Sequence, residues 1–93
     1  MKVFELAGSF AGDKDAAASI RDEYLRPALS KGETVALDFT GVDLATQSFI
    51  HAMIAGVIRD DASNLDRIDF KNCNESVRSL VEIVVEYAQD EFE

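Results

Sequence analysis

The spacing of apolar residues changes once within VALDFTGVDLATQSFIHAMIAGVI, residues 35–58. At its start Val35, Leu37 and Phe39 alternate with other residues, which is the pattern of a buried strand. Towards its end apolar residues recur every three or four positions, as on the buried face of a helix. These residues are Phe49, Ile50, Met53, Ile54, Val57 and Ile58. A strand that passes through a short turn into a helix of this kind is typical of α/β folds.

The alternation of strand and helix extends along the whole chain. Strands are predicted over Lys2–Leu6, Thr34–Phe39 and Leu65–Lys71. Helices are predicted from Asp13 or Asp15 to about Ser30, from Gln47 after a Thr46 cap to about Asp61, and from Asn74 or Ser76 to about Asp90. This order implies right-handed crossovers. The predicted fold is therefore α/β, a mainly parallel small sheet packed with about three helices, in a single domain comprising residues 1–93.

The first and last predicted helices each have an expected inward face. In the first helix this face consists of Ala17, Ile20, Tyr24 and Ala28. In the last helix it consists of Val77, Leu80, Val81, Val84, Tyr87 and Ala88. Pro27 lacks a backbone donor and is expected to kink or end the first helix, and Gly32 is expected to stop it. The acids Asp90, Glu91 and Glu93 are expected to be solvated.

Composition excludes several classes of function. The net charge is −9 and the isoelectric point is near 4.4, so a nucleic-acid backbone or an anionic membrane surface would be repelled. No apolar run approaches the roughly 18 residues of a membrane span. One cysteine, Cys73, and one histidine, His51, cannot form a structural zinc site, and a lone cysteine is typical of a reducing cytoplasm. No glycine-rich phosphate loop or calcium loop is present, so no cofactor is expected.

Three segments carry a resemblance to a known family. They are AGSF at residues 7–10, VALDFTGVDLATQSFIHAMIAG at residues 35–56 and KNCNESVRSLVEI at residues 71–83. Together they resemble the STAS domain, and more closely the STAS-like family of unknown function. The central pattern of that family is an apolar strand that ends in Asp-Phe-Ser/Thr-Gly-Val, followed by a Thr-x-Ser-Phe corner. Here these two elements are Asp38 to Val42 and Thr46 to Phe49.

The resemblance implies a regulatory function. STAS domains include the anti-sigma factor antagonists, small cytoplasmic proteins that bind an ATP-using serine kinase of the GHKL type and are switched off by phosphorylation. Their phosphoacceptor lies in an Asp-Ser-Ser-Gly-Leu corner at the start of the second helix. On that pattern Thr46 replaces the Asp, Gln47 the first Ser, Phe49 the Gly and Ile50 the Leu, while Ser48 matches the phosphoacceptor. The resemblance also implies a histidine-kinase-like (GHKL) ATPase as the partner.

The corner itself has two interpretations. Ser48 would lie about two residues into a helix, where unpaired backbone N–H groups and the helix dipole tolerate a phosphate. Alternatively, Thr46 caps the helix and Ser48 is a polar residue of the first turn with no other role. The residues expected to contact a protein partner are Thr46, Gln47, Ser48, Phe49, His51 and Asp38. Phe49, if exposed, would be the natural anchor, because aromatic residues are frequent interface hot spots.

Asp38, Ser48 and His51 also raise the question of catalysis. Asp38 near the end of a strand would contact a ligand or cation, or would accept hydrogen bonds from the loop that follows. Ser48 and His51 are three residues apart and share a helix face, with Asp38 or Asp43 available as a third member. A hydrolase would present its serine on a sharp glycine-flanked turn with an oxyanion hole, and Phe49 follows Ser48 instead. The sequence therefore predicts no catalytic residues.

The sequence favours a non-enzymatic regulatory module that binds a protein through the corner Thr40 to Ile54. The alternative is a structural module in which the same corner, or an edge strand, forms a homodimer without a phosphorylation switch. A small enzyme or nucleotide-binding protein is the interpretation that the residues support least. Burial of Phe49 with an exposed Ser48 would retain the switch and remove the aromatic anchor.

Overall fold

The computed structural model describes the backbone of residues 1–90 and the side chains of residues 1–88. Within this part of the chain the helical segments are α1 (Val3–Ala7), α2 (Lys14–Ser19), α3 (Arg26–Ser30), α4 (Gln47–Asp60) and α5 (Glu75–Asp90). The strands are β1 (Phe10–Ala11), β2 (Val35–Asp38), β3 (Leu44–Ala45) and β4 (Ile68–Lys71). A π-helical turn (Ile20–Leu25) joins α2 to α3, and a 3-10 turn (Ala62–Arg67) precedes β4. The predicted solvated acids at the C-terminus lie outside the described side chains.

The strands form two small parallel sheets. β2 pairs with β4, with Val35 opposite Ile68 and Asp38 opposite Lys71. β1 pairs with β3, with Phe10 opposite Leu44. Helices pack against both pairs, which confirms the predicted α/β fold with parallel strands; the strands form two small sheets, whereas one small sheet was predicted. The pair formed by β1 and β3 was not predicted, because each of these strands is only two residues long.

The predicted strand Lys2–Leu6 is wrong. Lys2 makes an isolated parallel bridge with Asp38, and the chain then turns into α1. Among the described residues, Met1 and Lys2 are the two that lie along the edge of β2 that is not paired with β4. The Met1 amino group donates to the Ala36 carbonyl at 2.7 Å, and the Asp38 N–H donates to the Met1 carbonyl at 2.9 Å. The chain must leave this edge to reach β1, which pairs with β3 rather than with β2.

The first predicted helix is continuous to Ser30 but changes its inward face. Asp13 caps it, since its Oδ1 accepts the Asp15 N–H at 2.8 Å. The π-helical turn then adds one residue to the helical repeat, which rotates the following residues by about 100°. Ala17 and Ile20 are buried as predicted, but Leu25 and Leu29 replace the predicted Tyr24 and Ala28.

The helix ends at Gly32, as predicted, and not at Pro27, which was predicted to kink or end it. Pro27 lies in the first turn of α3, directly after the π-helical turn, and the helix continues for three residues beyond it. Gly32 has φ +77°, its N–H donates to the Leu29 carbonyl and the Glu33 N–H donates to the Ala28 carbonyl, both at 3.0 Å. This is a Schellman ending, which satisfies the last carbonyl groups of the helix.

α4 forms the centre of the core. It packs against α5 on one side and against α2 and the π-helical turn on the other. Its buried residues are Phe49, Ile50, Met53, Ile54, Ala55, Val57 and Ile58. α5 contributes Val77, Val81, Val84 and Ala88, with Leu80 half-buried. Tyr87, predicted to face inward, is 59% exposed, because it lies about 90° around the helix from the centre of that buried face.

Candidate functional site

The candidate site is built on the first turn of α4. Thr46 has an extended backbone, and its Oγ1 accepts the Phe49 N–H at 3.1 Å, as the predicted helix cap requires. The Thr46 N–H in turn donates to the Ala11 carbonyl at 2.9 Å, which anchors the start of α4 to the end of β1. A cap of this type stabilises a helix by about 1 kcal/mol. The corner is therefore held by both local and tertiary hydrogen bonds.

Exposure divides the four residues of this turn into two pairs. Gln47 and Ser48 are exposed, whereas Phe49 and Ile50 are completely buried. The Ser48 hydroxyl lies 3.3 Å from Thr46 Oγ1 at the surface. Phe49 belongs to the apolar core, so the expectation that it is an exposed anchor for a partner is wrong. The serine that matches the phosphoacceptor remains accessible.

A shallow depression of about 430 Å³ lies beside Ser48. Its lining residues are Gln47, Ser48, His51, Val84 and Tyr87. The half-buried His51 ring lies edge-on to the Tyr87 ring, with 6.5 Å between centroids and 62° between planes. His51 Nε2 lies 3.4 Å from Arg59 Nη2. The depression joins the exposed part of α4 to α5, and Tyr87 is the accessible aromatic residue there.

Asp38 accepts hydrogen bonds from the loop that follows β2, as one of its two interpretations predicted. Its Oδ1 accepts from Thr40 Oγ1 at 2.6 Å, from the Thr40 N–H at 2.9 Å and from Asn72 Nδ2 at 3.1 Å. Chiefly because of the two Thr40 bonds, the pKa of the Asp38 carboxyl is lowered to about 2. Asn72 follows β4, so this carboxylate joins the ends of two paired strands.

The structure does not bring the sequence-predicted residues into one site. Asp38 lines a separate depression with Phe4 and Gly41, away from the residues around Ser48. Within the described side chains Ser48 makes no hydrogen bond with His51, and its hydroxyl contacts Thr46 instead. The arrangement therefore lacks the serine–histidine hydrogen bond from which nucleophilic catalysis begins.

Sequence reasoning missed an exposed apolar pair near the corner. Phe10 and Leu44 are 59% and 52% exposed and lie opposite each other across β1 and β3. The Phe10 ring lies over Gly12: a Cβ there would be 2.7 Å from Phe10 Cε1 and 3.4 Å from the Thr46 methyl group. Gly8 and Gly12, which flank Phe10, were a signal of close backbone approach, but nothing in the sequence indicated that Leu44 lies opposite Phe10.

The remaining features of the described residues add no cofactor site. Among residues 1–88, no group of three or more His, Cys, Asp or Glu residues is arranged to hold a metal ion. Cys73 is half-buried, and burial raises the pKa of its thiol. None of the described helices combines the length and the hydropathy that a membrane span requires.

Comparison with known proteins gives one match. A family model described as a STAS-like domain of unknown function matches residues 16–78, more than half of the chain. The matched region extends from α2 into the start of α5 and includes the Ser48 corner. No curated protein and no solved structure matches the chain.

Proposed function

The chain belongs to the family of STAS-like domains of unknown function, and on that basis we propose that it is a regulatory module that binds a protein partner and is not an enzyme. The observation that carries this proposal is the exposure of Ser48 in the first turn of α4, between the Thr46 cap and the buried Phe49. Hydrogen bonds of Thr46 with Phe49 and Ala11 hold the corner in place, while its serine hydroxyl remains accessible to another protein.

The docking surface consists of Gln47, Ser48, His51 and Tyr87. These residues line the depression between α4 and α5, and Tyr87 takes the role that the sequence had assigned to Phe49. Tyrosine provides a large contact area at a low cost in conformational entropy, which suits a residue at the centre of an interface. Asp38 is not included, because its carboxylate is engaged by Thr40 and Asn72.

Phosphorylation of Ser48 is the proposed control. The hydroxyl oxygen attacks the γ-phosphorus of ATP, a new O–P bond forms, and the bond between the γ-phosphorus and the bridging oxygen breaks to release ADP. The hydroxyl proton passes to a base of the kinase. The product adds about 1.5 to 2 negative charges to a depression in which no other lining residue among the described side chains carries a carboxylate. A partner that binds the neutral surface would then be released.

The proposed partner is a histidine-kinase-like (GHKL) ATPase with serine kinase activity. This part of the proposal is supported by the resemblance to anti-sigma factor antagonists, in which the residue that corresponds to Ser48 accepts the phosphate. Thr46 and Phe49 stand where those proteins have Asp and Gly. Phe49 is buried and Thr46 is partly accessible, so the kinase surface must differ from the usual one where it meets Thr46.

A structural homodimer is the second candidate. The observation that favours it is the exposed pair formed by Phe10 and Leu44, which presents apolar surface next to Thr46. The net charge of −9 opposes it, since two copies would bring like charges together.

The test is photo-crosslinking in the native cell from a residue placed at Gln47, with wild type, Ser48→Asp and Ser76→Asp as parallel baits. Ser76 is a matched control, because it is exposed and occupies the second position of α5 after an Asn74 cap, as Ser48 does in α4 after Thr46. We expect an ATPase of the GHKL class to crosslink to wild type and to Ser76→Asp and to be lost from Ser48→Asp.

Three results would contradict the proposal. Equal crosslinking of the same partner by all three baits, or equal loss from both Asp variants, would remove Ser48 as the control. Crosslinking of the chain only to itself would replace the regulatory module with the homodimer. Mass spectrometry of the captured protein gives an independent readout, since a phosphate on Ser48 is expected when the ATPase is present with ATP.

A further inference from the structure

His51 is placed to interact with any group attached to Ser48. The two residues are three apart in α4, so they are neighbours on one helix face. Side chains at this spacing lie one turn apart on the helix surface, close enough for a phosphate on one to be reached by the other. Both side chains line the same depression, together with Tyr87.

Arg59 determines which ring nitrogen of His51 is available. Arg59 Nη2 lies 3.4 Å from His51 Nε2, and a guanidinium can only donate hydrogen bonds. We therefore assign Nε2 as the acceptor of this contact, which places the proton of the neutral ring on Nδ1. Within the described side chains Nδ1 has no hydrogen-bond partner, so the ring retains one unused N–H donor.

We propose that His51 binds a phosphate on Ser48 through its Nδ1–H and so holds that phosphate in the depression between α4 and α5. The inference rests on the proposed function only in taking Ser48 as the modified residue. A phosphate offers three strong acceptor oxygens and reaches further from the helix than a hydroxyl does. A hydrogen bond to an ionised acceptor is about twice as strong as a neutral one.

This contact would let the phosphate act through its position as well as through its charge. A phosphate that is held by His51 occupies the space beside Tyr87 and Val84, where a partner side chain would otherwise pack. His51 is thus a positioning residue: it converts the modification of Ser48 into occlusion of the docking surface. Arg59 supports this role by keeping the proton of the neutral ring on Nδ1.

The position of Ser76 provides an internal control for the inference. Ser76 is also the second residue of a capped helix, so a phosphate there experiences a similar arrangement of backbone N–H groups. Three residues further on stands Ser79, whose hydroxyl donates to the Glu75 carbonyl at 3.0 Å. No histidine ring can reach a phosphate at Ser76 from that position.

The experiment uses the purified full chain with phosphoserine incorporated at position 48 or at position 76, each with His51 or with His51→Ala. Phosphorus NMR measures the pH titration of the phosphate, and nitrogen NMR reports the tautomer of the ring. The chain has one histidine, so the ring signals need no further assignment. The thermal unfolding of unphosphorylated His51→Ala is compared with that of wild type, to confirm that this variant is folded.

We expect His51→Ala to make the proton affinity of the phosphate at position 48 about threefold higher, because the Nδ1–H donor favours the dianion. The same substitution should leave the phosphate at position 76 unchanged. The ring nitrogen signals should differ between the unphosphorylated chain and the chain phosphorylated at Ser48.

The inference is overturned if His51→Ala leaves the phosphate at position 48 unchanged, or if it changes both phosphates equally. Neither result bears on whether a partner responds to Ser48→Asp, which the crosslinking experiment measures. Conversely, loss of the partner without a contact between His51 and the phosphate would leave the regulatory module standing and remove only the role of His51.

Discussion

At the scale of single residues, short-range hydrogen bonds decide what each side chain of the site can do. The Thr46 hydroxyl caps α4. The Ser48 hydroxyl, two residues further on, lies at the surface and contacts only Thr46 Oγ1 among the described side chains. Asp38 uses one carboxylate oxygen for three hydrogen bonds to Thr40 and Asn72. The Ser48 hydroxyl therefore remains available for modification, whereas the Asp38 carboxylate is occupied by hydrogen bonds.

The hydrogen bonds of Asp38 predict a pH-dependent contribution to stability. Its pKa of about 2 in the folded chain lies below the usual value of about 3.9 for an unfolded chain. The fold therefore favours the ionised form, and this stabilisation is present above about pH 4 and lost as the pH falls towards about 2. Asp38→Asn should lower the free energy of unfolding near neutral pH, and its difference from wild type should shrink over that interval.

Urea unfolding at a series of pH values measures this difference. Asp66→Asn is the matched charge change, because Asp66 is exposed and makes no hydrogen bond or ion pair within the described side chains. The prediction would be contradicted if the difference in the free energy of unfolding between Asp38→Asn and wild type stayed constant from neutral pH to about pH 2.

At the scale of elements, the segment that runs from α2 to α3 crosses α4 closely at Gly56. A Cβ at Gly56 would lie 3.1 Å from Arg26 Nη2 and 3.8 Å from Arg21 Cδ. Arg21 Nη1 donates to the Ala52 carbonyl of α4 at 3.2 Å, and Arg26 Nη1 lies 3.1 Å from Asp60 Oδ2. The two arginines therefore lie along α4 where it lacks a side chain.

Two glycine substitutions should have opposite effects. Gly56→Ala should stabilise the chain by up to about 1 kcal/mol, since alanine is the better helix former and the Arg26 guanidinium can shift at the end of its flexible side chain. Gly32→Ala should destabilise it by about 1–2 kcal/mol, because φ is +77° there although no atom lies within 4 Å of the new Cβ. Chemical denaturation measures the free energy of unfolding of both variants and of wild type. If Gly56→Ala destabilised the chain as much as Gly32→Ala does, the side chains of Arg21 and Arg26 would be unable to move away from the new methyl group.

At the scale of the whole molecule, a small body carries a large net charge. The chain has a net charge of −9, and its principal extents are 32 × 25 × 22 Å. Electrostatic screening lengths are about 30 Å at 0.01 M salt and about 8 Å at 0.15 M. Repulsion therefore acts across the entire molecule at low salt and only locally at the higher concentration.

Salt should stabilise the folded chain over this range of concentration, because self-repulsion of the compact state is screened. Thermal unfolding in sodium chloride and in potassium chloride measures the effect and separates it from binding of a particular cation. A melting temperature that falls as salt is added would show that attractive pairs such as Asp22 with Arg26 outweigh the net repulsion.

Features that depend on neighbours within about four residues could be predicted from the sequence. The Thr46 cap, the Gly32 ending and the position of α4 were predicted correctly, because capping bonds and helical periodicity are local. The pattern of β2 was also visible, since its buried positions alternate along a single strand. The central segment of the family resemblance, residues 35–56, comprises β2 and most of α4.

Contacts between side chains that are far apart in the chain could not be predicted, because they depend on how the elements pack. The π-helical turn shifted the inward face from Tyr24 to Leu25, and a periodic pattern cannot reveal one inserted residue. Lys2–Leu6 had the composition of a strand, but the β2 edge accommodates only Met1 and Lys2. Tyr87 joined Ser48 and His51 because α5 packs against α4, a contact between residues far apart in the chain. Hydrogen bonds between residues close in the chain determine where the helices begin and end. Packing between distant segments determines which residues meet at the candidate site.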